Sequence, residues 1–268
     1  MKKGVKKRIW FYGGFLAFLI GGYFYQPVRI DFFAKPAPNP NPRVDPATSS
    51  LYRKGARVMV VTAHPDDTEY YLGAFLPMLD KSGAEIDLLV CTDGDKGFYP
   101  WENAAKNRAI RRPEQLAAAR VWHAKNVVFL GYPDGRLQPK SDVVADIGTW
   151  IDRWKPGWLI TFDGEYPPKV SHGDHRSAGQ AAAFAAAGHP VGWLLLFATH
   201  APNYTADVSK FVDGQRDLLA LHASQFAGKK LDEVVNSVTS DSMDQGERAG
   251  LEYGVDFRAV RGSASNPH

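Results

Sequence analysis

Two clusters of histidine and carboxylate carry the chemistry of this sequence. The first, Ala63-His64-Pro65-Asp66-Asp67-Thr68-Glu69, follows directly on the apolar run Val58-Met59-Val60-Val61. A run of this kind ending in a polar cluster describes a buried strand that delivers its C-terminal end to a site. The C-terminal edge of a parallel sheet is where open α/β folds bind their ligands. The second cluster, Ser171-His172-Gly173-Asp174-His175, lies far downstream. A catalytic zinc takes about three protein ligands from His and carboxylate and keeps a further position open. His64 and Asp67, three apart on a turn, can converge on one ion, and His175 at the start of a helix is the natural third ligand. Asp66 is then free to act as general base on a metal-activated water. His172 can stabilise an oxyanion or protonate a leaving group from the other side. Taken singly, each cluster has a plainer reading: Asp66 and Asp67 as helix N-caps, and the His-x-Asp-His run as a turn or cap. Their joint placement after strands favours the metal.

The elements that must position these residues alternate along the chain. Strands are predicted over 57–63, 86–91, 127–130, 158–162 and 192–198, and helices over 69–82, 104–123, 143–154, 175–187 and 212–226. This alternation predicts an α/β fold, a Rossmann-like, doubly wound, mostly parallel sheet with helices on both faces. No Gly-x-Gly-x-x-Gly follows the first strand, so the dinucleotide fingerprint is absent.

The N-terminus reads differently. Residues 1–8 form a basic tail, and 9–28 are an uncharged, apolar and aromatic run, roughly 30 Å long as a helix. This predicts a single-pass transmembrane anchor, with the N-terminus cytoplasmic and the catalytic domain exported to the periplasm or outside the cell. A cleaved signal peptide needs a small-residue site, which Gln26-Pro27-Val28-Arg29-Ile30 does not offer. Residues 29–50, dense in proline, predict an extended linker to a domain over 51–268. Lys2, Lys3, Lys6, Lys7 and Arg8 account for the formal charge of +3 and leave the remainder at −2, with no electrostatic footprint for nucleic acid. A lone cysteine, Cys91, excludes an internal disulfide.

His64-Pro65-Asp66-Asp67-Thr68-Glu69 with Leu72-Gly73, together with His172-Gly173-Asp174-His175, resembles the PIG-L/LmbE superfamily of zinc-dependent N-acetylglucosaminyl deacetylases. Thr92-Asp93-Gly94-Asp95, Arg111-Arg112-Pro113-Glu114, Gly131-Tyr132-Pro133-Asp134-Gly135 and His222-Ala223-Ser224-Gln225 are similar to further family segments, so the likeness spans about 57–260. It implies His64, Asp67 and His175 as ligands of Zn2+ (or another divalent ion such as Fe2+), Asp66 as base and His172 as the group that stabilises the tetrahedral intermediate. It also implies Arg112 and Asp134 as contacts to sugar hydroxyls, with Arg111 competing for the place of Arg112. Gly173 stands where the family usually has proline, which loosens the placement of His172. Trp101, in an aromatic loop after a strand, is a candidate sugar platform. The expected activity is removal of an N-acetyl group from an N-acetylated amino sugar, in a glycan or glycolipid. The alternatives are the same site acting on a non-sugar amide, and an inactive carbohydrate-binding protein.

Overall fold

The computed structural model describes residues 28–30, 49–97 and 103–263. Strands β2 (Arg57–Thr62), β3 (Glu85–Thr92), β4 (Asn126–Tyr132), β5 (Trp158–Phe162) and β7 (Trp193–Phe197) pair in parallel in the order β4-β3-β2-β5-β7. Two antiparallel strands extend the sheet. β9 (Gly254–Arg261) lies beside β7, and β8 (Tyr204–Asp207) lies outside β9. Val58 to Val61 and Ile86 to Cys91 are all buried, as strands covered on both faces require.

The chain winds outward from β2 to β4, then returns to β5 and β7 on the other side. Strand order therefore reverses between β2 and β5, and the loops leaving those two strands diverge into a crevice. His64 follows β2, while His172 and His175 follow β5, so both clusters of the sequence open onto that crevice.

The described helices are α1 (Asp67–Leu72), α2 (Phe75–Lys81), α3 (Ala104–Val121), α4 (Ser141–Trp154), α5 (Gly173–Gly188), α6 (Gln215–Ala220) and α7 (Lys229–Ala249). The small residues of α5 let it lie directly on the sheet. A Cβ at Gly179 would sit 2.2 Å from the carbonyl oxygen of Phe162. That contact fixes the N-terminal end of α5 against the end of β5.

Several predicted elements take another form. The helix expected over 69–82 is two helices, because the Gln215 side chain donates to the carbonyl oxygens of Glu69 and Tyr70, each at 3.0 Å, where a continuing helix would use them. The helix expected over 212–226 ends at Ala220, and α7, β6 (Val170–His172), β8 and β9 were not foreseen. α7 is an amphipathic helix, its buried Val234, Val238, Ser242 and Gly246 recurring at intervals of four, that the predicted elements do not include.

The N-terminal prediction also needs correction. Val28, expected to end the anchor, and Arg29 and Ile30, expected in the linker, form β1 (Val28–Ile30), antiparallel to β6 (Val170–His172), with Val28 opposite His172. β-Branched residues at alternate positions suit a strand. The rest of the anchor and of the basic tail, 1–27, and positions 31–48 of the linker lie outside the described residues. Among the described residues, no helix is long and apolar enough to cross a membrane.

Candidate metal and catalytic site

The turn after β2 folds Asp67 back onto its own strand. The backbone N–H groups of Ala63 and His64 donate to Asp67 Oδ2 at 3.0 and 2.8 Å. Oδ1 then faces His175 Nε2 at 3.0 Å. His64 Nδ1 lies 3.3 Å from His175 Nε2 and 3.7 Å from Asp67 Oδ2. A tetrahedral zinc with bonds of about 2.0–2.1 Å holds its donors roughly 3.3 Å apart. His64 with His175, and His175 with Asp67, approach at such distances, and His64, His172 and His175 also bring three donor nitrogens within 4.8 Å of one another. The His175 ring is held by Phe162, stacked on it at 4.2 Å, and by the edge of Tyr71 at 5.7 Å.

His64 has a second side. Its Nε2 is 3.2 Å from Asp134 Oδ1 and 3.3 Å from Asp174 Oδ2, and His64, Asp134 and Asp174 also lie close enough to hold an ion. The chemistry of the donors distinguishes the two sides. Asp174 already accepts the N–H groups of Gly135 at 2.6 Å and Leu137 at 3.1 Å, and Asp134 accepts that of Lys96 at 3.2 Å. These carboxylates tie down the loops after β3 and β4. A ligating histidine commonly has its other ring nitrogen against such a carboxylate. Both sides of His64 thus offer donors to an ion, and on the Nε2 side the carboxylates are already engaged by backbone N–H groups. Asp134, expected as a sugar contact, has a side chain with 0 % exposure that faces His64.

Charge follows this geometry. Burial opposes the His64 cation, yet Asp134, Asp174 and Asp67 raise its pKa well above the ordinary histidine value. Burial likewise opposes ionised Asp67, while His175 and His64 hold it well below the usual carboxylate range.

Asp66 occupies left-handed backbone, with φ 103° at a non-glycine residue. Such positions cost about 1–3 kcal/mol and persist where the surroundings over-determine them. Its N–H donates to Gln115 Oε1 at 2.8 Å, and Arg111 Nη2 donates to its Oδ2 at 3.0 Å. Burial raises the Asp66 pKa, against the pull of Arg111. Gln115 is fixed in turn, because its amide donates to Thr68 Oγ1 and to both oxygens of Glu69. Glu69 also accepts from Trp122 Nε1 at 3.0 Å and pairs with His222 Nε2 at 2.9 Å. The sequence assigns neither Glu69 nor His222 a role in the site. Both are buried members of the network under Asp66.

His172 caps α5, its Nδ1 accepting the Asp174 N–H at 3.1 Å. Burial, then His64 and His175, push its pKa down to about 2, so the ring is neutral with its proton on Nε2. That Nε2 is buried and has no hydrogen-bond partner among the described residues. The cap and the β-strand leading to it, rather than the residue at 173, set the ring's position.

The adjacent arginines separate clearly. Arg111 is 4 % exposed and also donates to the carbonyls of Gly94 and Pro65 at 2.8 and 2.7 Å. Gly94 is required there, since its φ is +61° and a Cβ would sit 2.2 Å from Arg111 Nη1. The Arg112 side chain, 43 % exposed, pairs with Asp93 and lies 5.0 Å over Phe129. Trp101 lies outside the described residues. Beside His175 a cavity of about 580 Å³ opens, bounded by Tyr71, Phe162 and the inner face of α7.

Residues 59–186 match the PIG-L family, GlcNAc-PI de-N-acetylase. Residues 59–186 thus carry a domain of the PIG-L/LmbE superfamily. Among its relatives, the diacetylchitobiose deacetylase of Thermococcus kodakarensis is 27 % identical over 224 residues, covering 77 % of this chain and 84 % of that protein. A probable N-acetyl-α-D-glucosaminyl L-malate deacetylase 2 of Bacillus cereus is 33 % identical over 130 residues, 46 % of this chain and 58 % of that one. The N,N'-diacetylchitobiose deacetylase of Pyrococcus horikoshii shares the fold, with TM-score 0.74 at 24 % identity, over 79 % of this chain and 86 % of its own. So does GalB, a 4-carboxy-2-hydroxymuconate hydratase of Pseudomonas putida, with TM-score 0.65 at 20 % identity, over 76 % and 95 %. The PIG-L/LmbE fold alone therefore does not choose the reaction, and the side chains must.

Proposed function

We propose that this protein is a zinc-dependent hydrolase that removes the N-acetyl group from an N-acetylated amino sugar. The observation that carries this reading is the approach of His175 Nε2 to both His64 Nδ1 and Asp67 Oδ1, beside a strained, half-buried Asp66. The sugar comes from the relatives, whose names specify diacetylchitobiose and N-acetylglucosaminyl malate. Held by His64, Asp67 and His175, a zinc ion, or another divalent ion such as Fe2+, supplies a Lewis acid for the acetamide carbonyl and acidifies water. Asp66 accepts the proton of the attacking water. Its raised pKa suits a base that must later release that proton. His172 donates its Nε2–H to the developing oxyanion, and its neutrality means that no charge is lost when it does so. Asp66 or His172 then delivers a proton to the departing amine. Arg111, buried with both terminal nitrogens engaged, aims Asp66, which leaves the half-exposed Arg112 as the guanidinium that can reach sugar hydroxyls.

For localisation we infer an anchor over the apolar run before β1, with the domain exported. A reporter fused after His268 that is active only in the cytoplasm would overturn that placement.

The test of function is acetate release by the full-length protein from N-acetylglucosamine and its oligosaccharides, beside acetylated peptides as non-sugar amides. Release from the sugars is expected. Release from the peptides alone would move the same site to another substrate class.

A further inference from the structure

The cavity beside His175 does not end at the metal ligands. A second cavity of about 220 Å³ adjoins it and shares Tyr70, Tyr71, Pro168, Ala198 and Asp241 as walls. Along both, one face of α7 presents Ser237, Asp241, Asp244 and Arg248 at helical spacings of four, three and four. Eleven residues of α-helix rise about 16 Å. The two cavities therefore form a trough that starts at His175 and runs well beyond the length of one sugar ring.

The trough's chemistry narrows its occupant. Tyr70 and Tyr71 supply ring surface, and the serines and carboxylates of α7 supply partners for hydroxyl groups. Asp163 is paired with Arg258 and Asp256 with Arg248, whereas Asp241 and Asp244 enter no ion pair among the described residues. Against them the first cavity's lining sets one arginine, Arg176, so these carboxylates leave the lining net negative and disfavour a phosphorylated or carboxylated ligand. The regular row of polar groups on α7 does not suit an acyl chain either.

We propose that this trough is an extended subsite for a neutral or cationic chain of amino-sugar units continuing from the reacting one. The substrate class is then an oligosaccharide or polysaccharide rather than a small conjugate. This rests on the deacetylase reading and goes beyond it.

The test compares N-acetylglucosamine di- and tetrasaccharides on the full-length protein, by kcat/KM for acetate release and by Kd on the chelated protein. The tetrasaccharide is expected to be better by about tenfold in both. Asp241→Lys is expected to bring the tetra-to-disaccharide ratio down to about one. Equal values for the two lengths, with acetate released, would overturn the trough and leave the deacetylase standing. A length preference in Kd that Asp241→Lys abolishes, without acetate release, would do the reverse. Neither release nor preference would overturn both.

Discussion

At the scale of single residues, the geometry turns on how Asp66 is kept in a conformation it would not choose. Gln115 holds its N–H, and Gln115 can do so only because Glu69 fixes the other end of the amide. Gln115→Leu leaves the Asp66 N–H and the Glu69 carboxylate short of partners. Unsatisfied buried groups cost about 1–3 kcal/mol each. The variant is expected to lose stability of that order in denaturant titrations and to lose kcat, with its metal content retained. Unchanged kcat would show that the network does not hold the base. The ligand and base candidates were legible in the sequence because each motif places them next to one another. The roles of Glu69, Asp134 and His222 were not. Glu69 meets Gln115, Trp122 and His222 across separations of 46, 53 and 153 residues. No local spacing encodes such contacts. The choice between Arg111 and Arg112 was open for a related reason, since neighbours on a helix face different ways and only the packed structure shows which is buried.

Among elements, the end of β5 is tied to β9 through Asp163. Its oxygens accept from Arg258 Nε at 2.7 Å and Nη2 at 2.9 Å, and from Thr199 Oγ1 at 2.7 Å. Burial alone would raise the Asp163 pKa, but Arg258, the Tyr166 N–H and Thr199 together lower it below the ordinary carboxylate value. A carboxyl with a depressed native pKa binds protons more weakly folded than unfolded. Its contribution is therefore complete above the unfolded value of about 3.9 and is lost as pH falls through the native one. Asp163→Asn is expected to lower stability near neutrality and to flatten the acid limb below about pH 4. Parallel limbs for variant and wild type would contradict this. The five parallel strands were readable from their apolar runs, and β5 keeps the predicted bounds. α7, the wall of the trough, is not among the predicted helices although its buried Val234, Val238, Ser242 and Gly246 recur every four residues, a periodicity the sequence does carry. Tyr166, in the loop after β5, packs under Arg258 at 4.8 Å.

For the whole molecule, the doubly wound order could be inferred from the alternation of strands and helices, and the site's place at the reversal between β2 and β5 follows from it. The pairing of β1 with β6 could not. Three residues after an apolar run carry no signal for a partner strand more than a hundred positions on, yet Val28 comes opposite His172. Because the proposed ligands join the loop after β2 to the start of α5, metal binding should stabilise the fold as a unit. A ligand at a hundred times its Kd adds about 2.7 kcal/mol. Zinc is expected to raise the melting temperature of chelated protein, and His175→Ala to remove most of that shift. An equal shift in the variant would exclude His175 as a ligand.

The central claim is tested most directly by acetate release from diacetylchitobiose, using full-length wild type and Asp66→Asn, each chelated and then reloaded with zinc. The account predicts that wild type loses activity on chelation and regains it on reloading. Asp66→Asn should retain its zinc and fall by about 10²–10⁴-fold in rate. Undiminished release from the chelated wild type, or from zinc-loaded Asp66→Asn, would contradict it.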